Sequence, residues 1–385
     1  MPPDRPRLRF DRHELAGAFG DIGTDLPLIA SILLATKLEA PGVFLAFGLA
    51  QMASGIFYGL PMPVQPLKAM AVVVIAGQAT GGQLQLAGLM IGAIMLVLAS
   101  SGLLDRLQRV IPLLVVRGIQ AGLGIALART ALGLVEREGT WGWIAAAAAV
   151  GLLLGLREHR RWPGALVVVG LGVVWAAWYR LDWIAIRQGF GWVSPTPAAL
   201  PWDQWSAALV LLVLPQLPLS LSNSVIATQR TVTDLFPERP VTLQGIGRTY
   251  SVMNLLSPWL GGIPMCHGCG GLAGYHALGA RTGGSVIIYG SLYLVIGALF
   301  SGVCQEVLRA FPTPVLGAVL LVEAGVLFLL LRDVATKPAA LAVAVVIALT
   351  CTFAPQGYLS GLLLGCVLYY SLSRWRTALS FVPSR

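Results

Sequence analysis

Fourteen apolar stretches, separated by glycine, proline or charge, run along the chain. They lie near residues 15–36, 40–59, 64–79, 84–103, 111–133, 141–156, 163–179, 206–227, 242–260, 265–279, 284–303, 313–331, 338–353 and 357–373. A helix of about 20 apolar residues crosses a bilayer, so the pattern predicts an all-α polytopic membrane protein with about 14 transmembrane segments. The third and tenth stretches are too short and too interrupted for full crossings and are predicted as half-helices.

The third stretch opens with Gly59-Leu60-Pro61-Met62-Pro63-Val64-Gln65-Pro66-Leu67-Lys68. Proline removes a backbone donor and pushes the residue before it toward extended conformations, which predicts an extended entry and a helix start after Pro66. Irregular backbone at membrane depth is tolerated only where protein buries it or where it lines a cavity. The free N–H groups and positive dipole end of that helix would face the cavity, with Lys68 adding a full charge. This is an anion site in outline. The plainer alternative is a proline kink whose lysine snorkels to the surface.

Composition agrees with the pattern and removes other classes. Of the 385 residues, 56% are hydrophobic and 11% charged, with mean hydropathy +0.78, whereas a soluble domain carries about 25% charged residues. The net charge of +9 does not point to nucleic acid, because the basic residues form short clusters between apolar runs. Met1 to Glu14 is polar and basic, so no cleavable signal is expected. Five cysteines in or beside apolar runs do not make a secreted disulfide framework. No Gly-x-x-x-x-Gly-Lys-Ser/Thr loop occurs, which argues against an ATP-driven pump. Neither a cofactor nor a resident metal is expected.

The basic residues set an orientation. One side receives the clusters around Arg5 to Arg12, Arg106 and Arg109, Arg157 to Arg161, and Arg374 to Arg385, together with Arg230, Arg239, Arg281, Arg332 and Lys337. The other receives only Lys37, Arg129, Arg137, Arg180, Arg187 and Arg309. Both termini are therefore expected in the cytoplasm, with an even number of crossings of an inner (plasma) membrane. Residues 1–14 form a basic N-terminus, 15–180 a first half, 181–205 an external interfacial loop rich in tryptophan, 206–373 a second half, and 374–385 a cytoplasmic tail.

The halves resemble one another at matching places. Gly59-Leu60-Pro61-Met62 recurs as Gly262-Ile263-Pro264-Met265 at an offset of 203, and Gln120-Ala121-Gly122 recurs as Glu323-Ala324-Gly325 at the same offset. Asp25-Leu26-Pro27-Leu28 recurs as Gln216-Leu217-Pro218-Leu219 at an offset of 191. Seven crossings per half would make the second copy run inverted, and inverted repeats with broken helices mark secondary transporters that bind near the midplane.

Several polar residues fall at membrane depth. Asp21 and Asp25 share a helix face at i,i+4 and are costly unless they face a cavity or a cation. Ser220, Asn223 and Ser224 form a hydroxyl–amide face suited to an oxyanion or, alternatively, to holding helices together. The run Cys266-His267-Gly268-Cys269-Gly270-Gly271 predicts a backbone nest; with His276 it also raises a metal reading, though its spacing matches no usual zinc or haem pattern. Arg117, Gln120 and Glu323 interrupt apolar helices and predict either an ion pair across the repeat axis or a coupling group and its partner.

The chain resembles the molybdate transporter family related to the sulfate permeases. The resemblance rests on Phe19-Gly20-Asp21-Ile22-Gly23-Thr24, Pro63-Val64-Gln65-Pro66-Leu67-Lys68, Val116-Arg117-Gly118-Ile119-Gln120, Pro215-Gln216-Leu217-Pro218-Leu219 and Cys266-His267-Gly268-Cys269-Gly270-Gly271-Leu272-Ala273. It implies a seven-plus-seven inverted repeat without the C-terminal regulatory domain of sulfate permeases. Spans one to four and eight to eleven would form a core, the others a gate, and the core would move as an elevator.

The expected function is thus import of a tetrahedral oxyanion, molybdate before sulfate, in a multi-pass protein of the lipid bilayer that is not an enzyme. Protons are a candidate coupling ion, and a homodimer through the gate would suit an elevator. The expected substrate-binding residues are Thr24, Asp25, Gln65, Pro66, Lys68, Gln216, Ser220, Asn223, Cys266, His267 and Gly268; Asp21, Arg117, Gln120 and Glu323 are the expected coupling or gating residues. The alternatives are a nucleobase or bicarbonate permease of the same fold, and a membrane metalloprotein built on Cys266, His267, Cys269 and His276.

Overall fold

Residues 8–156, 164–300, 302–354 and 357–373 are described by a computed structural model. The first half contributes α1 (Ile22–Thr36), α2 (Ala40–Tyr58), α3 (Lys68–Ile75), α4 (Gly81–Ser100), α5 (Leu113–Glu136), α6 (Gly139–Gly155) and α7 (Gly164–Tyr179). The second contributes α8 (Trp202–Leu235), α9 (Leu243–Leu256), α10 (Cys269–Ala277), α11 (Gly284–Leu299), α12 (Thr313–Leu329), α13 (Pro338–Phe353) and α14 (Gly357–Ser373). By length and composition α2, α4, α5, α8 and α12 with its extension to Ala335 can each cross a membrane, and α1, α6, α7, α11, α13 and α14 are shorter apolar helices. The predicted spans match these helices closely, because glycine, proline and charge end each apolar run.

The main difference is α8, which extends well past the apolar run. It contains two π-helical segments, Leu209–Val213 and Ser220–Ala227. Between α7 and α8 a short helix, Trp183–Gly189, is followed by extended chain, and Trp183, Trp192, Trp202 and Trp205 are all exposed. Arg5, Arg7, Arg157, Arg160, Arg161, Arg374, Arg376 and Arg385 lie outside the described residues.

The half-helices α3 and α10 have 8 and 9 residues. Each is entered through a two-residue strand, β1 (Gln65–Pro66) and β2 (Met265–Cys266). The strands pair antiparallel, Gln65 opposite Cys266 and Pro66 opposite Met265, so the helices run away from a common crossing. The extended entry predicted from the prolines is β1; its partner lies about 200 residues away along the chain.

Each crossing segment is held by an amide side chain. Gln51 donates to the Val64 carbonyl at 3.0 Å and accepts from the Val64 N–H at 3.2 Å. Asn254 does the same to Met265, at 2.6 and 3.0 Å. Ser54 donates to the Met62 carbonyl and Ser257 to the Ile263 carbonyl. The helices thus keep the offset of 203 (Ser54 to Ser257), but the loops pair at 201 (Met62 with Ile263, Val64 with Met265). The sequence match of Met62 to Met265 is therefore two residues out of structural register, because the first loop is two residues longer.

The packing repeats under exchange of the halves. α2 packs on α11 as α9 packs on α4; α1 on α12 as α8 on α5; α13 on α5 as α6 on α12; and α7 on α1 as α14 on α8. α5 and α12 pack on each other. An inverted repeat produces such paired contacts.

Candidate functional site

A cavity of about 20 Å³ lies at the crossing, lined by Gln65, Lys68, Gln120, Gln216, Asn223 and Cys266, with Ser224 and leucine side chains completing the wall. A water needs about 10–15 Å³, so the space as it stands holds about one water and must widen for any larger solute. All six of these residues were expected at the site, and each carries an amide, ammonium or thiol group, which can donate hydrogen bonds to an anion.

Lys68, the first residue of α3, pairs with Glu323 of α12, Nζ to Oε2, at 3.0 Å. The other Glu323 oxygen accepts from Thr24 of α1 at 2.6 Å. Gln65 donates to both oxygens of Asp21 at 2.6 and 2.7 Å. Two glycines allow this: a Cβ on Gly268 would lie 2.0 Å from Gln65 Oε1, and one on Gly271 would lie 2.3 Å from Asp21 Oδ2. Glycine at these positions serves close approach of α10 to the side chains of the first half.

On the opposite side the wall itself carries no charged side chain, and Arg117 stands behind it. Arg117 donates to Gln120 at 2.9 Å, Gln120 donates to Asn223 Oδ1 at 3.3 Å, and the Cys269 thiol donates to the same oxygen at 3.4 Å. Gln120 and Asn223 also wall a second cavity of about 400 Å³ toward the start of α5, which contains Arg117 and Arg230. Toward the end of α5 a cavity of about 480 Å³ contains Arg129 and Arg137.

Several expectations change. Gln216 accepts from the N–H groups of Ala69 and Met70 at 3.0 and 3.3 Å. It caps α3, so the two amides expected to be free for substrate already have a partner. Ser220 lies between Gln216 and the Tyr250 hydroxyl and is not in the cavity wall. Pro66 is committed to β1, Gly268 to its contact with Gln65, and Thr24 to Glu323. Asp25 is fully buried behind the cavity against Gln51 and Tyr293. The ion pair suggested for Arg117 and Glu323 is not formed; Arg117 pairs with Asp333, just beyond α12, because it lies near the start of α5 while Glu323 lies deep.

His267 is sealed rather than poised. Its Nδ1 is 2.8 Å from the Pro63 carbonyl, which only accepts, so Nδ1 donates and Nε2 accepts from the Thr249 hydroxyl at 2.8 Å. His276 packs edge-on against Phe236. Among the described residues no group of three or more His, Cys, Asp or Glu side chains is placed to hold a metal, so the Cys266, His267, Cys269 and His276 set does not assemble. Gln51, Asn254, Thr249, Tyr250 and Asp333 are structural partners that the residue-by-residue reading missed. A search for polar pairs at the offset of 203 would have found Gln51 with Asn254 and Ser54 with Ser257.

Known proteins resemble this chain in sequence and in fold. The family model described as "Molybdate transporter of MFS superfamily" matches residues 13–127 and 208–328. Molybdate transporter 1 of Arabidopsis thaliana is 33% identical over 84% of this chain and 80% of its own length. Molybdate transporter 2 of the same plant is 31% identical over 98% of this chain and 92% of its own length. Among solved structures, murine Solute Carrier 26 family member A9, an anion transporter in the inward-facing state, superposes with TM-score 0.70 at 15% identity, covering 96% of this chain and 69% of that one. The transmembrane domain of the cyanobacterial bicarbonate transporter BicA superposes with TM-score 0.67 at 15% identity, covering 92% and 97%. Despite the family's description, the fold is of this kind and not the pair of six-helix halves of an MFS carrier. The chain is an integral membrane protein and a transporter rather than an enzyme, and it belongs to the molybdate transporter family.

Proposed function

We propose that this protein is a secondary active importer of molybdate that accepts sulfate less well. The observation that carries the reading is the small cavity at the crossing, with Lys68, Gln65, Gln120 and Asn223 converging on it between two half-helix starts. Two helix starts contribute about half a positive charge each, and with the Lys68 ammonium they favour a dianion over a neutral base. The names of the curated relatives support molybdate as that dianion.

In this reading the anion takes over the Lys68 ammonium from Glu323, receives hydrogen bonds from Gln120 and Asn223, and draws one Gln65 N–H away from Asp21. The core is α1–α4 with α8–α11, and the gate is α5–α7 with α12–α14. The bonds Lys68–Glu323, Thr24–Glu323 and Asn223–Gln120 join core to gate and must break as the core slides. Both termini face the cytoplasm, residues 181–205 lie outside, and a homodimer through the gate holds that part still.

Radiolabelled molybdate uptake into proteoliposomes, with sulfate and uracil as competitors, tests the proposal. Gln65→Ala and Asn223→Ala are expected to abolish saturable uptake while each variant stays folded. Uptake unchanged in both, or inhibition by uracil and not by sulfate, overturns the assignment.

A further inference from the structure

Three carboxyl groups and one imidazole stand at membrane depth near the crossing, and three of these four are fully engaged. Asp21 receives Gln65 on both oxygens. Glu323 receives Thr24 on one oxygen and Lys68 on the other. His267 uses both ring nitrogens. Asp25 is different. Only its Oδ2 is engaged, by Gln51 at 3.4 Å and the Tyr293 hydroxyl at 3.5 Å. Its Oδ1 has no hydrogen-bond partner among the described residues, nor has the Tyr275 hydroxyl, and both residues are 0% exposed.

These groups share one closed cluster. Tyr275, Tyr289 and Tyr293 are all 0% exposed, with ring centroids 6.4 and 4.7 Å apart along the series. The Tyr289 and Tyr293 hydroxyls are 2.7 Å apart. The charged and titratable groups acting on Asp25 and its tyrosines are Asp21 from α1, Lys68 from α3, Glu323 from α12 and these three tyrosines from α10 and α11. A bare carboxylate here would have exchanged water for two long hydrogen bonds, a poor exchange in an interior that penalises unpaired charge. A proton on Oδ1 removes the charge and turns the orphan acceptor into a donor.

We propose that Asp25 is the seat of a proton that travels with the oxyanion. The Asp25 carboxylate takes a proton from water on the entry side, crosses as the neutral acid while the dianion is bound, and returns the proton to water on the exit side. The coupling is electrostatic. Asp25 lies one turn from Asp21, which is bonded to Gln65 in the cavity wall, so a dianion there repels a charged Asp25 and favours its acid. By linkage the protonated acid favours the dianion to the same degree.

The inference rests on the oxyanion reading, and two assays on the full chain in proteoliposomes separate them. Tracer exchange, with equal molybdate and equal pH on both sides, needs no net proton movement. Accumulation driven by an acid-outside pH step does. Wild-type protein is expected to do both. Asp25→Asn is expected to keep exchange and to lose accumulation, and Tyr275→Phe to move the pH of half-maximal accumulation toward acid. Asp25→Asn protein that still accumulates molybdate on a pH step overturns the proposal. So does wild-type accumulation that follows a sodium gradient and ignores pH. If Asp25→Asn does not fold, unchanged pH dependence in both Tyr275→Phe and Tyr293→Phe overturns it as well. Wild-type protein without exchange sinks the transport reading itself.

Discussion

The two half-helices start alike and are served differently. At the start of α3 stands Lys68, whose ammonium meets Glu323, which also holds Thr24. At the start of α10 stands Cys269, whose thiol meets Asn223, which also accepts from Gln120. Gln120 and Glu323 are the residues that match at the offset of 203, so each half-helix start is linked to one member of a matched pair, Lys68 to Glu323 directly and Cys269 to Gln120 through Asn223. One copy is ionic and the other neutral. The shared backbone places the groups, while the side chains decide where charge resides, and charge is concentrated on the first half. A dianion arriving between them therefore meets an ammonium in the wall on one side and, on the other, amides backed by the Arg117 guanidinium; the ammonium already has an internal carboxylate as its partner.

The largest expected effect comes from breaking the ionic copy. Lys68→Met leaves the Glu323 charge, 22% exposed, without its cation; losing one partner of such a pair costs about 3–5 kcal/mol. Unfolding of the detergent-purified variant should show this loss, and uptake should vanish. Adding Glu323→Gln should recover most of the stability and none of the uptake, a double-mutant cycle that separates the pair's structural role from its role in binding. A middling effect is expected at the contact between halves. Gly268→Ala forces Gln65 away from Asp21 and leaves buried acceptors unmade, a loss of about 1–3 kcal/mol. Equilibrium molybdate binding should weaken correspondingly, by about tenfold per 1.4 kcal/mol. The smallest effect is expected in the neutral copy, where Gln120→Ala removes one hydrogen bond of about 1 kcal/mol. Its uptake should change only a few-fold. A loss at Gln120 as large as at Lys68 would mean that the two copies are equivalent after all.

Much of the fold was legible because hydropathy and proline act locally. The run from Pro61 to Pro66 predicts a broken third span without reference to any other residue, and the repeat at Gln120 and Glu323 predicts their common depth. Partnerships were less legible, because they depend on how far along its helix each side chain stands and what comes opposite. Arg117 and Glu323 belong to helices that pack on each other, yet their different depths send one to Asp333 and the other to Lys68. Gln216 reads as a ligand from its place beside Pro215 and Pro218. Only the packing of α8 on α3 reveals it as the cap of Ala69 and Met70. His267 lies 204 residues from Pro63, and nothing local marks the carbonyl that fixes its ring.

The pairing of β1 with β2 has a thermodynamic consequence. Because Gln65 and Pro66 are bonded across to Cys266 and Met265, neither half-helix start can shift without taking the other along. Any movement that opens the cavity to one face of the membrane and then to the other therefore carries Lys68 and Cys269 as one unit. Such a swing supplies no energy of its own: net uphill flux derives from a second solute falling down its own gradient, and without one a carrier does no more than equalise its substrate across the bilayer.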